Sequence, residues 1–238
     1  IEDNDAIGLA STGAENLQVS ESGGDAIYLV KLNAQPSSNV VVNLYHDSQI
    51  TVEPTSLTFT PQNWNQMQDV TVMAVDDAVD EGNLHSGIVR YSLSGDPTYA
   101  GLPVSEQLVT IFDDDTAGLA LSTTALDIAS GASGSYDVQL ASQPTEPVWV
   151  DLAASGAVLV DMPNCSHGGE ESGPCLRFDA ANWNQPQRVT LRAFGAGQVQ
   201  HGVASADEIY VGTAAPFVSV NGGHGNFDIS IFLPTINR

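Results

Sequence analysis

The 238-residue chain carries 29 acidic and 6 basic side chains, a formal charge of −23, with 42% apolar residues and a single lysine, Lys31. That balance leaves enough apolar side chain for real cores, and it disfavours nucleic acid and anionic lipid, both of which are held through Lys and Arg. Metal cations, high-salt surroundings or plain solubility suit such a surface, and no apolar run reaches the roughly 18 residues of a spanning helix, so direct membrane insertion is not expected.

Taken in chain order, the first half reads as strands. Ala26–Leu32, Val40–Leu44, Val70–Val75, Ile88–Leu93 and Leu108–Phe112 alternate apolar and polar positions and are rich in β-branched residues. Turn clusters separate them: Glu21-Ser-Gly-Gly-Asp25, Gln35-Pro-Ser-Ser38 and Ser94-Gly-Asp-Pro97. No window offers an amphipathic helix.

The second half repeats the first. Leu57-Thr-Phe-Thr-Pro-Gln-Asn-Trp64-Asn-Gln-Met-Gln-Asp-Val70-Thr-Val72 returns as Leu176-Arg-Phe-Asp-Ala-Ala-Asn-Trp183-Asn-Gln-Pro-Gln-Arg-Val189-Thr-Leu191, an offset of 183 − 64 = 119. The same offset pairs Tyr91 with Tyr210 and Pro97 with Pro216. Upstream the offset is 108, with Tyr28 matching Tyr136 and Gln35-Pro36 matching Gln143-Pro144. The difference of 11 implies an insertion in the second repeat between Asp151 and Leu176. A third echo sets the boundaries: Ile111-Phe-Asp-Asp-Asp115-Thr-Ala-Gly118-Leu119 mirrors Ile1-Glu-Asp-Asn-Asp5-Ala-Ile-Gly8-Leu9. Residues 1–5 then read as the end of a preceding repeat, 6–115 as repeat one and 116–238 as repeat two, in a fragment of a longer protein with no visible signal peptide. About seven strands in about 110 residues predict an all-β chain of two tandem immunoglobulin-like β-sandwiches. Trp64 and Trp183 are expected at equivalent core edges, a sugar-stacking platform being the alternative.

The acids are concentrated in repeat one, 18 of 29 before Thr116. Asp76, Asp77, Asp80 and Glu81 follow a strand, Asp113, Asp114 and Asp115 end another, and Glu21 and Asp47 stand at turns. Neighbouring carboxylates raise one another's pKa unless a cation neutralises them. Ca²⁺ takes six to eight oxygens from backbone able to bend around it.

A strand ending in Val-Asp-Asp, an acidic pair with Gly a few residues on, and a last strand ending in Asp-Asp-Asp resemble the Calx-β family. The resemblance covers nearly all of repeat one, the Leu-Thr-Phe…Trp…Val-Thr-Val block included. It implies several Ca²⁺ ions at one tip of the sandwich, next to the following domain, held by Glu21, Asp47, Asp76, Asp77, Asp80, Glu81, Asp113, Asp114 and Asp115. Repeat two departs at these positions. Gly195, Ala196, Val199 and Gln200 stand for Asp76, Asp77, Asp80 and Glu81, Ala129-Ser130 for Ser20-Glu21, and Leu233-Pro234-Thr235 for the triad. It is expected to keep the fold without the metal.

Cys165 and Cys175 flank a polar stretch, read as a surface loop clipped by its own disulfide, which implies an oxidising, extracellular or cell-surface setting. A Zn²⁺ site of Cys165, His167 and Cys175 is the alternative. His46, His85, His167, His201 and His224 lack metal-motif spacing and read as surface or loop residues. No nucleophile elbow or phosphate loop is present, and no enzymatic role is expected. The expected function is a Ca²⁺-binding structural or adhesive module, stiffening the joint between repeats. Its partners would be neighbouring repeats of the same chain, and another surface protein or glycan. A Ca²⁺-responsive sensor, or a ligand- or carbohydrate-binding module built on the repeat-two insertion, are the alternatives.

Overall fold

The computed structural model describes residues 6–167 and 170–223. Every regular element among them is a β-strand, and the chain divides into two compact units, Ile1–Thr116 and Ala117–Arg238.

The first unit holds β1 (Leu9–Thr12), β2 (Leu17–Ser20), β3 (Asp25–Leu32), β4 (Val40–His46), β5 (Ile50–Glu53), β6 (Ser56–Phe59), β7 (Gln68–Ala74), β8 (Leu84–Gly95) and β9 (Gln107–Phe112). They form a four-stranded sheet, β1-β3-β7-β5, and a five-stranded one, β2-β9-β8-β4-β6, in which β2 runs parallel to β9. Alternation turns one face of each sheet inward. Tyr28, Val30, Leu32, Val70 and Val72 come from the first sheet and Val40, Val42, Val89, Val109 and Ile111 from the second, each with no accessible surface. Burying such a side chain contributes about 1.5–3 kcal/mol, so the two faces drive the sheets together. Trp64 packs against the edge of this core, and its carbonyl accepts from Leu32 N at 3.0 Å.

The second unit holds β10 (Leu119–Leu121), β11 (Ala125–Ala129), β12 (Ser133–Leu140), β13 (Val148–Val160), β14 (Asn164–His167), β15 (Glu170–Phe178), β16 (Gln187–Ser205) and β17 (Phe217–Gly223). Here the strands join one eight-stranded sheet, because β13 and β16 are each long enough to serve in both layers. Trp183 repeats the part of Trp64, its carbonyl accepting from Leu140 N at 2.9 Å.

Strand registers show how the repeats correspond. In unit one Ile50 pairs with Ala74 and His46 with Val89; in unit two Val158 pairs with Ala193 and Ala154 with Val199. The offset on the partner strand falls from 193 − 74 = 119 to 199 − 89 = 110. Fourteen residues, 75–88, therefore correspond to only five, 194–198. The acidic loop of repeat one has no counterpart of equal length in repeat two, so its acids are missing there and not substituted one for one. Val199 is a fully buried residue of β16 and Gln200 pairs with Ala153, so neither stands for Asp80 or Glu81. Gly197 allows the shortcut: a Cβ there would lie 2.3 Å from Ser155 O and 2.8 Å from Val158 Cγ2.

The tyrosine assignment changes for the same reason. Tyr210 corresponds to Tyr99, not to Tyr91. Tyr99 Oη donates to Ala34 O at 2.6 Å and Tyr210 Oη to Ser142 O at 2.6 Å. Each follows a buried aspartate that accepts from the facing turn, Asp96 from Ser37 N at 2.7 Å and Asp207 from Thr145 N at 2.8 Å. The partner of Tyr91 in unit two is His201. Tyr28 and Tyr91 share a hydroxyl hydrogen bond of 2.7 Å, and Tyr136 Oη meets His201 Nε2 at 2.9 Å. His201 is 3% exposed, a core residue where a surface or loop position was expected.

The extra chain in repeat two also narrows. Val160 stands for Val52 and Leu176 for Leu57, which places the 11 added residues between Val160 and Leu176. The described ones among them in β14 and β15 are paired, not an open loop. β14 and β15 pair antiparallel, and Cys165 is bonded to Cys175 across that ribbon with Cα atoms 5.8 Å apart. The bond removes the Cys–His–Cys zinc alternative. Residues 1–5, His224 and Leu233-Pro234-Thr235 lie outside the described residues.

Candidate metal centre

The parallel pairing of β2 with β9 sets Ser20 beside Phe112, and both strands end there. Glu21 N donates to Phe112 O at 3.0 Å, which fixes the first residue past β2 beside the Asp113–Asp115 triad. β8 runs antiparallel to β9 with Leu84 opposite Phe112 and His85 opposite Ile111, so the acidic loop before β8 arrives at the same end. Three chain segments thus converge without any helix.

Backbone donors within the loops order the carboxylates. Asp113 Oδ2 accepts from Glu81 N at 2.6 Å and its Oδ1 from Asp115 N at 2.7 Å, tying the triad to the loop. Asp77 Oδ1 accepts from Val79 N and Asp80 Oδ1 from Gly82 N, both at 2.8 Å. Gly82 has φ 86°, a left-handed conformation that favours glycine, and there the chain turns back toward β8. Gln49 bridges a further segment: its side-chain nitrogen donates to Glu81 Oε1 at 3.1 Å, and its backbone N donates to Asp47 Oδ1 at 3.2 Å.

Two three-ligand sets are compact enough to hold one ion. Glu21 with Asp113 and Asp115, and Glu21 with Glu81 and His85, each offer ligand atoms within 4.8 Å of one another. Glu21 belongs to both. It is 4% exposed, its side chain fully covered, and neither carboxylate oxygen has a hydrogen-bond partner. Glu81 Oε2 and both ring nitrogens of His85 are likewise buried without one. His85 Nε2 lies 3.4 Å from Glu21 Oε1, a charge contact without hydrogen-bond geometry.

An ionised carboxylate left in this state is costly. Burial first, then the charges of Glu81, Asp113, Asp77 and Asp115, push the Glu21 carboxyl up to about 7. Burial also raises Glu81, helped by Asp77 and Asp113 and opposed by the Gln49 bond and His85. Asp115 is raised by burial and by Asp113, Asp114, Asp77 and Asp76. A cation among these oxygens would reverse all three effects at once.

The predicted ligands therefore differ in placement. Glu21, Glu81, Asp113 and Asp115 supply the compact sets, while Asp76, Asp77 and Asp114 add charge around them, Asp76, Asp77 and Asp114 being exposed. Asp47 and Asp80 serve turns of their own loops and join neither set. Sequence reasoning missed Gln49 and His85. Gln49 carries no charge to mark it, and His85 is recognisable only once β8 is known to begin one residue before it.

No family model matches the chain, and no curated protein matches it. Among solved structures, the crystal structure of CBD12 from CALX1.2 is 18% identical, covering 81% of this chain and 80% of that one with a TM-score of 0.32. The apo-form Calx CBD1 domain is 20% identical over 46% of this chain and 98% of its own, with a TM-score of 0.35. The S-layer protein rSbsC(31-844) is 13% identical over 92% of this chain and 28% of its own, with a TM-score of 0.34. A likeness of this order carries no functional weight, so the site must be judged on its own residues.

Proposed function

We propose that unit one is a Ca²⁺-binding structural module of an extracellular repeat protein, with a binding and not a catalytic role. The observation that carries this reading is Glu21: a covered carboxylate with two unpartnered oxygens, set among Glu81, Asp77, Asp113 and Asp115. Hard, oxygen-rich and anionic, the cluster suits Ca²⁺ better than a softer ion at its Asp113–Asp115 side. The Calx-β-like spacing of the same acids points the same way. The triad ends one residue short of the division between the units, which falls between Thr116 and Ala117, so a bound ion would also order the segment leaving unit one and stiffen the joint. The Cys165–Cys175 bond supports an oxidising setting, and among the described residues no helix is long and apolar enough to cross a membrane. Neighbouring repeats, or a surface protein or glycan, are the partners this role implies.

Scanning calorimetry of the chain with Ca²⁺ and with chelator tests the reading. At about 100 times Kd the ion adds about 2.7 kcal/mol to the unit that binds it. One of two transitions should rise and the other stay. Two unmoved transitions would defeat the proposal.

A further inference from the structure

The Ca²⁺ reading leaves the nitrogen side of the cluster unused. His85 enters the site from β8 with a side chain only 11% exposed, and both of its ring nitrogens are buried without hydrogen-bond partners. Facing it are Glu21 Oε1 at 3.4 Å from Nε2 and Glu81 Oε2 at 4.0 Å from Nδ1. Ca²⁺ prefers oxygen donors, whereas imidazole with carboxylates suits first-row transition ions. Nitrogen and oxygen ligands about 2.0–2.1 Å from a tetrahedral ion stand roughly 3.4 Å apart. The separation of His85 Nε2 from Glu21 Oε1 already has that value, and one ligand atom from each of Glu21, Glu81 and His85 lies within 4.8 Å of the other two.

We propose that Glu21, Glu81 and His85 form a second metal site, selective for a divalent transition ion of the Zn²⁺ class, sharing Glu21 with the Ca²⁺ site. Three protein ligands leave a coordination position open to water. The ion would neutralise the buried Glu21 carboxylate and the covered Oε2 of Glu81, which a neutral imidazole cannot do. Because Glu21 belongs to both sets, occupation of one site alters the other. The inference shares a residue with the Ca²⁺ reading but does not depend on it. The competing explanation is a protonated His85 that merely ion-pairs with the two glutamates.

Co²⁺, whose visible absorption reports low-coordinate nitrogen–oxygen ligation, is the probe, titrated into the whole metal-free chain and then displaced by Zn²⁺. The wild type should bind one equivalent, with His85→Ala weakening it more than about tenfold. His46→Ala, at an exposed histidine, should leave it unchanged. His85→Gln serves as a second variant should His85→Ala fail to fold. The Ca²⁺ shift of the calorimetric transition should survive in the His85 variants. Absence of a Co²⁺ spectrum, or equal Co²⁺ affinity in wild type and His85 variants, overturns the second site. A normal Ca²⁺ shift in that case leaves the Ca²⁺ reading standing, while Co²⁺ binding without any Ca²⁺ shift does the reverse.

Discussion

Replacing Glu21 by Gln should change the stability of unit one in opposite directions with and without Ca²⁺. Folding lifts the Glu21 carboxyl from 4.5 to about 7, chiefly by burial. Keeping it ionised in the folded, metal-free chain at pH 8 therefore costs at most roughly 3 kcal/mol. Gln removes the charge but leaves an amide with no evident partner, a penalty of about 1–3 kcal/mol. The net gain in chelator is about 1 kcal/mol, near 4 °C for a unit of this size. In Ca²⁺ the variant loses a ligand, and with it most of the roughly 2.7 kcal/mol expected at 100 times Kd. The pH dependence carries its own sign. A carboxyl whose folded pKa is raised adds stability that is complete below its unfolded value and lost as pH rises through the folded one. Metal-free wild type should thus gain stability from pH 8 to about 5, and Glu21→Gln should gain less. Urea melts at pH 5 and 8, in chelator and in Ca²⁺, measure all four states. A variant destabilised equally in every condition would refute the reasoning, since Glu21 would then be an ordinary packing residue.

Three further outcomes follow from unit two. Gly197→Ala should lower its transition by about 1–3 kcal/mol, because the new methyl meets Ser155 O and Val158 at the β13–β16 crossing, read by thermal melting. Replacing Cys165 and Cys175 by Ser should cost at most about 3 kcal/mol in the chain-entropy view of a ten-residue separation, lowering only the unit-two transition in calorimetry. Burial lowers the His201 pKa against the opposing bond to Pro216 O, so its stabilising contribution is present above about 6.5 and lost as pH falls through the folded value. His201→Tyr, restoring the residue type of Tyr91, should flatten the acid side of the unit-two melting profile between pH 7 and 5.

The strands of unit one were legible because their alternation is strict. Ala26–Leu32 reads inward at Tyr28, Val30 and Leu32, and those three are fully buried. The carboxylate cluster was legible for an equally local reason, since adjacent acids at strand ends announce themselves in sequence. What could not be read was which acids meet. That depends on β2 pairing parallel with β9, a contact between residues 92 positions apart, as in Ser20 with Phe112. The loss of the acidic loop in repeat two was misplaced for a related reason. An ungapped offset sets Val199 against Asp80, and only the ladder of β13 with β16 shows that nine residues are gone. The matching of Tyr91 to Tyr210 failed in the same place. Tyr91 lies inside β8 and Tyr210 in the turn beyond β16, and hydrogen bonding to Ala34 and Ser142 pairs Tyr210 with Tyr99.

The central claim is that Ca²⁺ binds at the end of unit one where Glu21, Asp113 and Asp115 meet. Amide ¹H–¹⁵N spectra of the labelled chain, recorded through a Ca²⁺ titration, test it most directly. Shifts should concentrate at Glu21, at Asp76–Gly82 and at Asp113–Asp115, and the amides of β13 and β16 should stay still. Unchanged spectra at millimolar Ca²⁺, or shifts spread evenly over exposed acids of both units, would contradict it.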